Sequence, residues 1–334
     1  MSELAVAMFA AETASHVLDA PRSARFGAFC RAFDEAACLR RLEECSLRWV
    51  ARSDPAFPGR LRLIHDPPVG IFVRGAAGLD LLDRPCVAVV GARACSQYGT
   101  DVAIRLGREV ARAGVVVVSG LARGIDGAAH RGALETGRTV AVLGCGIDRD
   151  YPRAHAALAV EIAATGLILS EYAPGVEPAP WRFPARNRIV AGLADATVVV
   201  EARARSGALI TADLALEEGR EVLAVPGEIT SHLSAGTNEL LRLGAVPVTT
   251  PADVLAAIGV APVPAAAGDP GPETLPPDLR ELLALVSDAP TTFDELVRRT
   301  AQDAAQVSAA LVELELLGLV TEAAGVYRGV MPPT

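Results

Sequence analysis

Lysine is missing from this sequence: all 31 basic residues among 334 are arginine. A GxxxxGK[ST] phosphate loop is therefore excluded, and with it a P-loop ATPase, since that loop needs its lysine at the β- and γ-phosphates. Every cationic contact falls to guanidinium, which grips phosphate in a planar, bidentate way that an ammonium cannot. Aromatics make up only 4%, so an aromatic set among arginines is conspicuous. The six cysteines, Cys30, Cys38, Cys45, Cys86, Cys95 and Cys145, form no CxxC pair. That removes the usual zinc spacing and predicts reduced, mostly buried thiols, with no metal and no cofactor. No apolar run approaches the roughly 20 residues that cross a bilayer. The stretch Met1 to Ala14 carries Glu3 and no basic n-region, unlike a secretory signal. A cytoplasmic protein without a membrane partner is expected.

The hydrophobic share is 51%, much of it alanine, in a chain long enough for two or three domains. The net charge of −9 argues against a nucleic-acid binder until its distribution is read. Residues 259–334 hold 4 arginines against 11 acids, while residues 1–75 hold 10 against 9 and residues 76–258 hold 17 against 20. Acidity is therefore concentrated at the C-terminus, and an anion site must be a local arginine cluster.

Residues 1–75 read as a small helical domain, with Phe26, Phe29, Phe33 and Leu42 at helical spacing between Ala24 and Cys45. Ile71 to Val73 reads as a short strand. Residues 76–258 change character. Apolar runs recur at Val87–Val90, Val115–Val118, Thr139–Leu143, Leu167–Leu169, Thr197–Val200 and Val222–Val225, separated by helix-length segments. Continuous β-branched runs mean strands buried on both faces, hence an α/β, Rossmann-like doubly wound, mainly parallel sheet. Residues 259–274 form a Pro/Ala linker. Residues 275–330 follow as three helices and a hairpin, a winged-helix plan, with Thr291 and Asp303 as candidate helix caps.

Five of the six buried strands run into a loop of glycine or small polar residues: Gly91-Ala92-Arg93, Ser119-Gly120 through Arg123, Gly144-Cys145-Gly146, Ser206-Gly207 and Pro226-Gly227. Glycine lets backbone N–H groups approach an anion, and a following helix N-terminus favours negative charge. Ligands of open parallel sheets bind at these carboxyl ends. Arg93, Arg123 and Arg153 punctuate the loops. Arg182, Arg186 and Arg188 crowd the segment Trp181 to Arg188, with Phe183 and Asn187 among them. Guanidinium for phosphate and aromatic faces for bases are what a single-strand binder requires. His130 and Asp126 share a helix start, where His130 reads as structural and Asp126 as a cap. The alternative left open is a nucleotide-hydrolysing enzyme using the same cleft, with Glu239 of Gly236-Thr237-Asn238-Glu239 as its carboxylate.

Ser119-Gly-Leu-Ala-Arg-Gly-Ile-Asp126, Ala141-Val-Leu-Gly-Cys-Gly-Ile-Asp148, Tyr151-Pro152, Leu169-Ser-Glu-Tyr172, Phe183-Pro-Ala-Arg-Asn-Arg188, Val200-Glu-Ala202, Ser206-Gly207 and Pro226-Gly227 occur in one order over roughly residues 54–250. In this the chain resembles the DNA-processing DprA (Smf) family. The resemblance implies a dimeric, non-catalytic protein that binds single-stranded DNA, protects incoming DNA and loads the RecA recombinase in natural transformation. It implies a DNA site including Arg93, Gly120, Arg123, Phe183, Arg186, Asn187, Arg188, Ser206 and Gly207, to which the reading of the loops and arginines adds Gly91, Arg153 and Arg182. Three positions depart from the family pattern: Ala92 replaces a hydroxyl residue, His155 stands where asparagine is usual, and Pro180 replaces a basic residue that Arg182 could stand in for. The N-terminal segment resembles the family's SAM-like domain only in being helical. The third helix of the C-terminal domain carries Glu313 and Glu315 and no arginine. A DNA-reading winged helix needs a basic recognition helix, so this domain is read as a protein-interaction or self-docking module.

Overall fold

The computed structural model describes residues 2–13, 23–262, 275–300, 302–323 and 325–329. Most of the expected linker, residues 263–274, lies outside them. The chain divides into two compact units, Met1–Pro262 and Val263–Thr334.

The first unit opens with three helices, α1 (Glu3–Thr13), α2 (Phe26–Ala32) and α3 (Glu35–Glu44). The helical spacing from Ala24 to Cys45 is split because Asp34, in extended backbone, accepts from the Ala37 N–H at 2.9 Å and starts a new helix. Strand β1 (Leu47–Ala51), a short helix α4 (Gly59–Arg62) and strand β2 (Gly70–Arg74) follow. Then come β3 (Cys86–Val90), α5 (Gln97–Arg112), β4 (Val116–Ser119), α6 (Ile125–Thr136), β5 (Thr139–Leu143), α7 (Ala156–Thr165) and β6 (Leu167–Ser170). The second half runs α8 (Arg182–Leu193), β7 (Ala196–Val199), α9 (Gly207–Glu217), β8 (Glu221–Ala224), α10 (Ala235–Arg242), β9 (Val246–Pro247) and α11 (Pro251–Ala257).

These strands form one nine-stranded sheet in the order β1-β2-β6-β5-β4-β3-β7-β8-β9. From β6 to β9 every pairing is parallel, whereas β1 and β2 pair antiparallel to each other and β2 pairs antiparallel to β6. All six apolar runs are strands, and the reason is visible in their alternation. Cys86, Ala88 and Val90 enter one apolar layer and Val87 and Val89 the opposite one. Helix α8 and α9 residues cover the first face, and α5, α6 and α11 residues the second. With no face left to water, no polar alternation is required.

The boundary expected at residue 75 does not separate two folded bodies. β1 and β2 are hydrogen-bonded members of the sheet, and Leu4, Ala7 and Leu42 pack in one cluster with Phe72, Leu143 and Ile162. The N-terminal helices are thus built onto the sheet. The cysteines are all free, but only Cys86 and Cys145 are buried, and Cys45 is exposed. Desolvation pushes the Cys86 thiol up to about 12 and Cys145 to about 11, so both stay protonated.

The second unit contains α12 (Pro277–Asp288), β10 (Thr291–Thr292), α13 (Phe293–Thr300), α14 (Ala304–Leu316), β11 (Val320–Ala323) and β12 (Val326–Gly329), with its own core around Leu282, Leu296, Leu311 and Leu314. Its strands pair in the order β10-β12-β11, completing the winged-helix plan. Asp303 caps α14 through a reciprocal capping box with Gln306. Thr291 is not a cap: it lies in β10, and its hydroxyl donates to the Ala289 carbonyl at 2.6 Å.

Candidate nucleic-acid interface

Chain order reverses between β3 and β7, the sheet's switch point, and the loops leaving β3 and β4 open there beside the start of α9. Two cavities meet at this edge. A smaller one, about 240 Å³, is lined by Gly91, Arg93, Asn187, Ser206 and Gly207. A wider cleft, about 910 Å³, is lined by Arg123, Tyr151, Arg153 and the acids Asp148, Asp150 and Glu177. Arg93, Gly120, Phe183 and Arg186 border both.

The six predicted arginines separate into two groups. Arg93, Arg123 and Arg153 are exposed and have no ion pair to a carboxylate among the described residues. Arg93 holds its guanidinium 5.2 Å from the centre of the Phe183 ring, a cation–π contact that steers it without neutralising it. Arg182, Arg186 and Arg188 are used internally. Arg182 is buried, donates to the Glu177 carbonyl and lies against Tyr172 and Trp181, 5.2 and 4.8 Å from their ring centres. Arg188 pairs with Glu171 at 2.6 Å and with Asp66 at 2.9 Å. Burial opposes its charge, but the two carboxylates outweigh it and raise its pKa.

Arg186 is 4% exposed and donates to the carbonyls of Gly120 at 2.8 Å and of Val142. Gly120 is needed for this reason. A Cβ there would collide with the guanidinium, so the glycine makes room for an arginine rather than for a phosphate. Two of the loop's N–H groups are also occupied. Asp126, in the first turn of α6, accepts from the N–H of Gly120 at 3.1 Å and of Ala122 at 3.3 Å. It therefore closes the preceding loop instead of capping its own helix. Burial pushes its carboxyl above the ordinary value, while Arg186 and the two N–H groups pull it back. His155 donates from Nδ1 to the Leu121 carbonyl at 3.0 Å, holding a residue with φ 57, in the left-handed region. That gives the departure at His155 a structural role.

Phe183 is half-buried, and its ring stacks on Tyr151 at 5.4 Å between centres and 26° between planes. Gly144 permits this position, since a Cβ there would lie 2.8 Å from Phe183 Cδ1. Asn187 donates to the Gly207 carbonyl at 3.2 Å and accepts from Arg186 Nε at 3.3 Å. The Ser206 hydroxyl is buried with no hydrogen-bond partner, and Gly207 opens α9 with free space before it. Gly91 packs against Ile125 and the Glu201 carbonyl. Sequence reasoning missed two participants, Tyr151 as a stacked ring and Asp126 as the loop's internal acceptor, and also passed over the exposed Arg203 and Arg205, which stand just before Ser206 without lining either cavity. Only the last had a local signal, an Arg-x-Arg pair ahead of a helix start.

Glu239 lines neither cavity; it is half-exposed on α10 and paired with Arg242. Each acid of the wider cleft has its own donor. Asp150 is held by Arg74 at 2.6 Å, Glu177 by Arg149 at 2.8 Å, and Asp148 by the Gly175 N–H at 2.8 Å. The exposed guanidinium groups consequently set the cleft's available charge. Among the described residues no cluster of His, Cys, Asp or Glu could hold a metal, and no helix is long and apolar enough to cross a membrane.

The family model for DNA recombination-mediator protein A matches residues 48–259, and that for the DprA winged helix domain matches residues 264–326. Protein Smf of Escherichia coli K12 is 39% identical over 304 residues, covering 86% of this chain and 81% of that protein. DNA processing protein DprA of Streptococcus pneumoniae is 48% identical over 204 residues, covering 61% and 71%. The X-ray structure of DprA from Streptococcus pneumoniae aligns with a TM-score of 0.65 at 40% identity, over 76% of this chain and 91% of that one. DprA from Helicobacter pylori, solved to describe its single-stranded DNA binding mode, aligns with a TM-score of 0.56 at 35% identity, over 60% and 91%.

Proposed function

Since this chain belongs to the DNA recombination-mediator protein A (DprA/Smf) family, we propose that its switch-point cleft binds single-stranded DNA without catalysing a reaction on it. The observation that carries this reading is the exposed, unneutralised Arg93 held over Phe183, at the border of both cavities. A duplex turns its bases inward and offers a ring nothing to stack on, whereas an unpaired base does. Arg93, Arg123 and Arg153 engage phosphates, Phe183 a base, and the start of α9 at Ser206 and Gly207 a further phosphate. Arg182, Arg186 and Arg188 hold the walls. The protein acts as a cytoplasmic homodimer that shields incoming strands and delivers them to the RecA recombinase during transformation and recombination. The paired state of Glu239 and of the cleft acids favours a mediator over a nucleotide hydrolase.

Fluorescence anisotropy with single-stranded and duplex oligonucleotides over a salt series tests the binding. Single strands should bind tighter, and affinity should fall with salt as phosphates are neutralised. Equal or better duplex binding overturns the reading. RecA nucleation on strands coated with a single-strand-binding protein tests delivery, which should accelerate on addition of this protein. Assay of free base released from nucleotides should give none.

A further inference from the structure

Beyond Phe183, the wider cleft presents a second ring. Tyr151 leaves 42% of its surface exposed while stacked on Phe183 at 26° between planes. It shares its cleft with Arg123 and Arg153, both exposed and unpaired, and the acids beside it are already satisfied by Arg74, Arg149 and a backbone N–H. The near-parallel rings thus form a short aromatic ladder, edged by three cations, at the border of a cavity large enough for a second nucleotide. Aromatic faces in a positive groove take successive bases whatever their sequence.

We propose that Tyr151 is a second base-stacking surface: its ring face turned away from Phe183 takes one unpaired base, while the part of Phe183 left open by Arg93 and Tyr151 takes another, with Arg123 and Arg153 at the phosphates of the Tyr151 side. This rests on the single-strand reading above and adds the strand's direction of travel, from the small cavity across Phe183 into the wider cleft. It also assigns the ring, rather than the phenol hydroxyl, as the working part of Tyr151.

The test uses the full chain and thymidine oligonucleotides in anisotropy titrations. Tyr151→Ala should weaken binding roughly 5- to 150-fold, the range of one lost base–aromatic stack. Tyr151→Phe should bind like the parent. On a strand whose nucleotides are abasic, parent and Tyr151→Ala should bind alike, because nothing remains to stack. Photocrosslinking with 5-iododeoxyuridine should mark both Tyr151 and Phe183. If Tyr151→Ala binds as the parent does, or loses as much on the abasic strand as on the natural one, Tyr151 is only a prop for Phe183 and the proposal is overturned. If Phe183→Ala and Arg93→Glu weaken binding while Tyr151→Ala does not, this proposal fails and the single-strand reading survives. If the parent protein shows no preference for single strands, both fail.

Discussion

Arg186→Ala separates a supporting arginine from a contacting one. In the folded chain the Arg186 guanidinium is 4% exposed, bonds two backbone carbonyls and faces the buried Asp126. Truncation leaves Asp126 buried without its cation and frees the Gly120 and Val142 carbonyls. Leaving the two buried carbonyls unsatisfied costs about 1–3 kcal/mol each. For a unit of this size each kcal/mol lowers the melting midpoint by roughly 2–4 °C, so a fall on the order of 10 °C is expected by calorimetry of the full chain. The deficit should also depend on pH. Burial raises the folded-state pKa of Asp126 above its ordinary 3.8, so the folded protein takes up this proton more readily than the unfolded chain. The cost of the lone carboxylate is therefore complete above the folded pKa and is relieved as pH falls through it. The gap between variant and parent should narrow on acidification. Arg93→Ala should behave oppositely: its exposed cation–π contact is worth about 0.5–1 kcal/mol, so the midpoint barely moves. DNA affinity should drop, with a salt slope shallower by about one phosphate. An unmoved midpoint with abolished binding in Arg186→Ala would show that the guanidinium contacts the strand and would refute the division of the arginines drawn above.

Gly144→Ala should displace the Phe183 ring and weaken single-strand binding, which a salt-matched anisotropy titration would register. Burial holds His130 neutral, lowered to about 3; its contribution is present above about pH 6.5 and is lost as pH falls toward 3, so urea midpoints should fall through that window and His130→Gln should flatten the loss. Arg188→Ala, which strands the buried Glu171, should cost about 3–5 kcal/mol in the same denaturation assay. Removing residues 275–334, a separate core with an acidic balance, should leave single-strand affinity within a few-fold of the parent.

The parallel strands were legible because burial on both faces writes itself as an unbroken apolar run, as at Val87 to Val90. β1 was not, because Leu47-Arg48-Trp49-Val50-Ala51 buries only Leu47 and Val50, which make neither an unbroken apolar run nor a period-two alternation. β9 was not either, having two residues that are both exposed. The loops at the sheet edge and the residues of the cleft could be read from glycine and arginine placement. Which arginines stay available could not. Arg188 is paired with Glu171 and with Asp66, 122 positions away, and Arg186 is hydrogen-bonded to carbonyls of the loop after β4 and of β5. Such pairings are products of the tertiary path, and in one dimension Arg182, Arg186 and Arg188 look no different from Arg93.

Asp126 lends a final consequence. The loop after β4 carries its own resident carboxyl acceptor, so its Gly120 and Ala122 N–H groups are held without a ligand and less ordering cost is due when one arrives. For the same reason it offers no ready socket to a lone phosphate. Free nucleotides, however abundant, find there only scattered single contacts, each weak alone. A polymer gathers those contacts along one backbone, where each engaged nucleotide raises the effective concentration of the next. The cleft can thus ignore the cell's nucleotide pool and still hold a strand.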